Sequence, residues 1–266
     1  MSSNVITYNV NYINKFRHQV RKGLPNKVAR LLNIKTKIRV KMNDKDLKIF
    51  NRVIDNFNEE ELQKKIKSLL NKLTRVNIDG IFQQVNEILK NRKVLIEYTI
   101  KNIMASAIQM PLLCDTYANF YKKLYSKKTE AIFQETLKEL LDIFNGKVEV
   151  EVNSAIDYKK FLKYLQDKEK FTGLHLFLAS LYKLRIIKRI QIEEQLKYLE
   201  DTIKTSDKLA NEKYCETYTK FLTKLNKKEI FKKHLETIQE LKNNTDILKP
   251  RMKFALMNIL DLYEKM

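Results

Sequence analysis

The sequence predicts an all-α protein: an α-solenoid of about five antiparallel helix pairs with a basic N-terminal extension. Three observations predict it. The 266 residues include only 4 Gly and 3 Pro, far fewer breakers than a sheet-rich fold of this length needs at its turns. From residue 59 onward, apolar residues recur at helical spacing in segment after segment, separated by short polar turns. The stretch 59–266, divided by the roughly 40–47 residues of a stacked helix pair, gives about five units, which favours a solenoid over a single bundle.

Residues 1–58 read as a separate, partly helical basic arm. They hold 13 Lys and Arg against 3 Asp, a net charge of +10. Between Lys15 and Lys41 there are ten basic residues and no acidic one. "KVARLLN" and "DLKIFNRVIDNF" carry short helical periodicity, and Gly23–Pro25 breaks the chain before them. The domain 59–266 then opens with "EEELQKKIKSLLNKL", which places Leu62, Ile66, Leu69, Leu70 and Leu73 on one helix face. "IFQQVNEIL", "VLIEYTIKNIMASAI", "LCDTYANFYKKLY" and "TEAIFQETLKELLDIF" continue the pattern, with Pro111 and Gly146 as stops. "KVEVEVNSA" alternates, but a lone strand has no partner, so a loop is expected. Six further helices are expected: "DYKKFLKYLQ", "FTGLHLFLASLYKL", "RIQIEEQLKYLEDTI", "KYCETYTKFLTKL", "KKEIFKKHLETIQELK" and "PRMKFALMNILDLY". Short turns between them favour antiparallel neighbours.

The charge, 52 basic against 32 acidic residues or +20, points to a polyanionic partner, most simply nucleic acid. Catalytic chemistry finds no foothold. His18, His175 and His234 stand without a second His or Cys at ligand spacing, and four glycines cannot build a phosphate loop. His175 lies in an apolar run and reads as a buried, hydrogen-bonded histidine. Glu200 and Asp201 are expected on different helix faces, in solvent. Cys114 and Cys215 read as buried thiols of a reducing compartment. No catalytic residue, metal or cofactor is therefore expected, and the chain reads as a binding module. It lacks an apolar leader and any run near the roughly 18 residues of a membrane span, so a soluble intracellular protein is expected. The absence of Trp and the abundance of Lys, Asn and Ile suggest an AT-rich genome.

Four stretches carry a family resemblance. "KIKSLLNKLT" (65–74) resembles the opening helix of the middle domain of eukaryotic translation initiation factor 4G, whose pattern is close to (K/R)-V-R-x-I-L-N-K-L-T. "MPLLCDTYANFYKKL" (110–124) is similar to E-P-x-F-x-x-x-Y-A-x-x-C-x-x-L through Pro111, Tyr117, Ala118 and Asn119. "FTGLHLFLASLYKLRII" (171–187) resembles G-N-I-x-F-I-G-E-L-(F/Y)-K-L-x-(M/I)-L through Gly173, Phe177, Leu181, Lys183 and Leu184. "PRMKFALMNILDLYEK" (250–265) resembles R-I-R-F-M-L-x-D-V-(L/I)-D-L-R through Arg251, Lys253, Phe254, Leu256, Leu260, Asp261 and Leu262. Each motif is modest, and their order and separation across 59–266 make the likeness specific.

The resemblance implies a five-repeat HEAT scaffold that grips a DEAD-box helicase of the initiation factor 4A type, holds it half open and speeds its ATPase cycle. It also implies RNA binding, a cytoplasmic location and a monomer, with a cap-binding protein or initiation factor 3 as further partners. By match, the helicase-binding positions are Leu70, Asn71, Leu73, Thr74 and Ile78 at one end and Arg251 and Phe254 at the other. Thr74 also suits the N-cap of the following helix. Arg75 stands where the family has Pro, and Ile78 where it has Phe. A loose cap-binding-protein motif at Tyr98 is explained by its helix face. Lys27, Arg30, Lys35, Lys37, Arg39 and Lys41 of the arm suit RNA phosphates. The alternative is an RNA-binding α-solenoid adaptor in mRNA processing or decay that activates no helicase.

Overall fold

The computed structural model describes residues 59–90, 92–145, 157–206, 211–244 and 248–265. The basic arm and the "KVEVEVNSA" segment lie outside the described residues. Among the described residues ten α-helices follow one another, numbered here as five consecutive pairs: α1 (59–71) with α2 (Ile78–Leu89), α3 (Lys93–Gln109) with α4 (Cys114–Leu124), α5 (Lys127–Asn145) with α6 (Tyr158–Lys183), α7 (Arg189–Thr205) with α8 (Asn211–Leu225), and α9 (Lys228–Asn243) with α10 (Pro250–Glu264). α3 packs on α4, α7 on α8 and α9 on α10, whereas α5 and α6 each pack on α3. No strand occurs among the described residues.

Local chemistry sets the helix boundaries. Pro111 cannot continue α3 and opens a 3-10 turn, Pro111–Leu113, that leads into α4. Ser126 and Thr129 cap α5 reciprocally: the Ser126 N–H donates to Thr129 Oγ1 at 2.8 Å and the Thr129 N–H to Ser126 Oγ at 3.3 Å. Asp157 caps α6 by accepting from the Lys160 N–H at 3.0 Å. Pro250 occupies the first turn of α10, where its missing N–H costs nothing. The far end of α6 is a Schellman turn. Arg185 is left-handed (φ 60°), its N–H donates to the Tyr182 carbonyl at 2.9 Å, and the Ile186 N–H donates to Leu181 at 3.0 Å.

The even-numbered helices pack in order, α2 on α4, α4 on α6, α6 on α8 and α8 on α10. In the second layer α3 packs on α5, and α7 on α9. One continuous apolar core runs from Ile66 in α1 to Ile259 in α10. At its centre α6 crosses α3 at Gly173. A β-carbon there would overlap the Ile108 carbonyl oxygen, well within van der Waals contact distance, and lie only 2.9 Å from its carbon. Cys114 fills the same joint, its thiol 3.3 Å from the Ala107 carbonyl.

Two expectations change. The helices expected over 157–166 and 171–184 are one helix, the 26-residue α6, because the intervening "DKEK" contains no breaker and all four residues favour or tolerate helix. Glu200 is not in solvent. It lies buried in α7, accepts from the Tyr218 hydroxyl at 2.5 Å and sits 2.6 Å from His234 Nδ1. His175 is buried as expected, with Nδ1 2.9 Å from the Phe171 carbonyl, and burial lowers its pKa to about 4. Both cysteines are buried, and desolvation pushes each thiol up to about 12.

Candidate functional site

Between α1 and α2 the chain makes a polar turn stapled to itself. The Thr74 N–H donates to Asn77 Oδ1 at 2.7 Å, the Asn77 N–H returns to Thr74 Oγ1 at 3.3 Å, and Asn77 Nδ2 donates to the Lys72 carbonyl at 2.8 Å. Thr74 is therefore not the N-cap of α2. It anchors the turn three residues earlier, and the cap position falls to Asn77, which makes no side-chain capping bond. Leu70 and Leu73 flank this turn but point into the core, 1% and 3% exposed. Tyr117 locks the end of α1 from α4 by donating its hydroxyl to the Leu70 carbonyl at 3.3 Å. Of the expected helicase-binding residues at this end, Asn71 and Thr74 are exposed and Ile78 is half-buried. Ile78 lines a groove of about 570 Å³ with Arg75, Thr116, Asn119, Lys122 and Lys123.

The apolar side chain that the turn does present is Val76, 96% exposed. Sequence reasoning missed it, because periodicity assigns Leu70 and Leu73 to the same stripe but leaves Val76 in an unmarked turn. Beside the turn, Asp115 of α4 gathers partners from three other elements. Its carboxylate accepts from Ser180 Oγ of α6 at 2.7 Å and from Lys224 Nζ of α8 at 2.6 Å, and lies 3.9 Å from the Arg75 guanidinium. Partial burial works against its charge, but the Lys224 and Ser180 hydrogen bonds prevail and lower its pKa.

At the other end, α10 carries Arg251 and Phe254 one turn apart on the surface. Phe254 is 64% exposed, an unusual place for a large aromatic, and Met257 follows it, also exposed. Arg251 reaches Glu212 of α8 at 3.7 Å. Glu212 also accepts from Lys249 at 2.8 Å, and that hydrogen bond holds its carboxyl below the ordinary range despite burial. The six basic residues expected to bind RNA, Lys27 to Lys41, lie outside the described residues. Among the described residues, no group of three or more His, Cys, Asp or Glu side chains could hold a metal ion. None of the helices there is long and apolar enough to cross a membrane. The two ends thus expose apolar side chains, Val76 and Phe254, beside basic ones, Arg75 and Arg251.

The MIF4G domain family model matches residues 63–265. The chain belongs to the MIF4G domain family. The MIF4G match takes in most of α1, the whole of α2 to α10 and each of the four motif stretches, and leaves the basic arm outside it. The MIF4G chain is 25% identical over 228 residues to eukaryotic translation initiation factor 4G of Cucumis melo, covering 77% of this chain and 12% of that protein. It is 24% identical over 228 residues to the factor 4G of Triticum aestivum, covering 77% and 15%. To a probable eukaryotic translation initiation factor 4 gamma homolog of Vairimorpha ceranae it is 25% identical over 234 residues, covering 77% and 38%. It thus spans well under half the length of these relatives.

Proposed function

We propose that the protein is a translation-initiation scaffold that binds and activates a DEAD-box helicase of the initiation factor 4A type and also binds RNA. The match of the MIF4G family across residues 63–265, together with likeness to several initiation factors 4G, carries this reading. The surface agrees with it. Val76 and Ile78 at one end and Phe254 and Arg251 at the other give the helicase two separate apolar footholds, each beside cations. Leu70 and Leu73 serve by holding the α1–α2 turn in place, and Asn71 and Thr74 by facing the partner. The protein acts in the cytoplasm, by binding and not by catalysis. In the arm, Lys27, Arg30, Lys35, Lys37, Arg39 and Lys41 neutralise RNA phosphates, so RNA affinity falls steeply with salt.

The test is a titration with a purified 4A-type helicase, ATPase rate read in parallel. Val76→Asp and Phe254→Asp are the informative variants, because both side chains are in solvent and both variants should fold. Leu73→Asp would bury a charge in the core and unfold the first pair. Tight binding and a faster ATPase, both lost in the folded variants, support the scaffold. An RNA-binding wild type that leaves the helicase untouched points instead to an mRNA-processing or decay adaptor.

A further inference from the structure

A groove runs along the even-numbered layer between α6, α8 and α10. It consists of two open cavities of about 690 and 530 Å³ that share Leu176 and Lys220 in their lining. The larger has an apolar floor of Leu176, Ile259 and Leu262, with Lys183, Lys220 and Lys224 at its rim. The smaller continues past Leu165 to the Pro111–Leu112 turn, where Leu112 is 93% exposed. The lining extends from Glu216 along α8 to Asn226 just past its end, about 15 Å at the helical rise, or about three helical turns.

The electrostatics of the lining select an occupant. Five cations, Lys168, Lys183, Lys220, Lys224 and Arg251, line the groove with two carboxylates, Glu169 and Glu216, and Asp115 and Glu212 just outside the lining hold Lys224, Lys168 and Arg251, so the excess is positive and centred on Lys183. Lys183 makes no ion pair among the described residues; burial and nearby Lys224 and Lys227 disfavour its ammonium and outweigh the attraction of Asp115, so an incoming carboxylate would relieve it. The arm of this chain, at +10, and a second copy, at +20, carry the wrong sign. Single-stranded RNA fits less well than a polypeptide. The lining contains no aromatic ring on which a base could stack. Lys168, Lys220 and Lys224 already hold carboxylates at 2.7, 2.6 and 2.6 Å, which leaves few bare cations for a phosphate chain.

We propose that the α6–α8–α10 groove is a docking site for an acidic amphipathic helix of about three turns carried by a partner protein. Its apolar stripe lies on Leu176, Ile259 and Leu262, and a carboxylate meets Lys183, the rim lysine that none of the described carboxylates already holds, in the helix-in-groove mode of recognition. Arg251, at one edge of the lining, also belongs to the proposed helicase surface, whereas Lys183 and Ala255 lie outside that surface.

The probe is a fluorescein-labelled 15-residue peptide with Leu at helical spacing and Glu elsewhere, against a scrambled peptide of the same composition. Anisotropy is read on the whole protein, on Lys183→Glu and on Ala255→Arg, which obstructs the groove wall; melting curves confirm that the variants fold. The expected result is binding of the patterned peptide at least tenfold tighter than the scrambled one. Affinity should fall at least fivefold in each variant and weaken between 50 and 300 mM salt. Equal binding of the two peptides, or variants that bind like wild type, overturns the proposal. So does a 12-residue oligouridylate that displaces the peptide and itself loses affinity in Lys183→Glu, which would assign the groove to RNA. Helicase titration of the same variants separates the two readings, since Lys183→Glu should retain ATPase stimulation.

Discussion

Gly173 sits where α6 crosses α3, and the two glycines of the described helices make a matched pair of opposite sign. Replacing a helical glycine by alanine ordinarily gains about 0.5–1 kcal/mol, because the unfolded chain loses freedom and the helix gains propensity. Gly80, in the first turn of α2, has nothing within 4 Å of its would-be β-carbon, so Gly80→Ala should collect that gain. At Gly173 the same methyl overlaps the Ile108 carbonyl oxygen and stands 2.9 and 3.1 Å from Ile108 C and Cα. All three atoms are backbone, so α3 and α6 must separate, and the Cys114 contact in the same joint stretches with them. Overpacking of this kind costs about 1–3 kcal/mol and often more when backbone must move. The clash therefore outweighs the propensity gain. Gly173→Ala should lower Tm by up to roughly 10 °C, while Gly80→Ala raises it by roughly 1–4 °C, at the conversion expected for a domain of this size. Differential scanning calorimetry of both variants decides the matter. A Gly173→Ala protein that melts at or above the wild-type temperature would refute the close-crossing argument.

Glu200→Ala should destabilise by about 2–4 kcal/mol in urea titrations, since it strips the Tyr218 hydroxyl and His234 of their shared buried acceptor; Glu200→Gln, which keeps an acceptor oxygen, should cost less. Stability should fall with acid in two windows. His175 has its folded pKa lowered to about 4, so its contribution is complete above its unfolded pKa, near 6.5, and declines as pH drops from there toward 4. Glu216 is opposed by burial but held at about 2 by Lys168 and Lys220; its contribution is complete above about 4.5 and is lost as pH falls through 2. Denaturant midpoints from pH 7 to 2 should show both declines, the first flattened in His175→Leu and the second in Glu216→Gln. Cys114 and Cys215 should resist a disulfide reagent at pH 8 in the native protein and react at once in denaturant, because burial keeps both as thiols; rapid native labelling would contradict their burial.

Much of this architecture was legible before any coordinates. Leu62, Ile66 and Leu70, or Ile81, Val85, Ile88 and Leu89, define a helix and its buried face by spacing alone, and the scarcity of Gly and Pro predicts the helix pairs. Glu200 was legible too. It lies four residues after Leu196 and three before Ile203, on the buried stripe of α7, and its carboxyl drew attention away from its position. The site was harder to read. Periodicity places Leu70 and Leu73 on an apolar face without saying what packs against that end of α1, and here Tyr117 of α4 reaches it at the Leu70 carbonyl. Val76 and Phe254 differ from core residues only in what is absent around them, which spacing does not encode. The junction of α6 was obscured for a related reason: "DKEK" looks like a turn by polarity, yet polarity there reflects solvent exposure and pairing of Lys168 with Glu216.

Stacked-repeat proteins are often treated as one-dimensional chains in which each unit feels only its neighbours, so that stability is a sum of local terms. Asp115 breaks that rule. From the second pair it reaches Arg75 in the first, Ser180 in the third and Lys224 in the fourth, so one carboxylate couples units that are not adjacent. Loss of the fourth pair would remove a counter-ion from the second, so a change in one unit is felt two units along the stack.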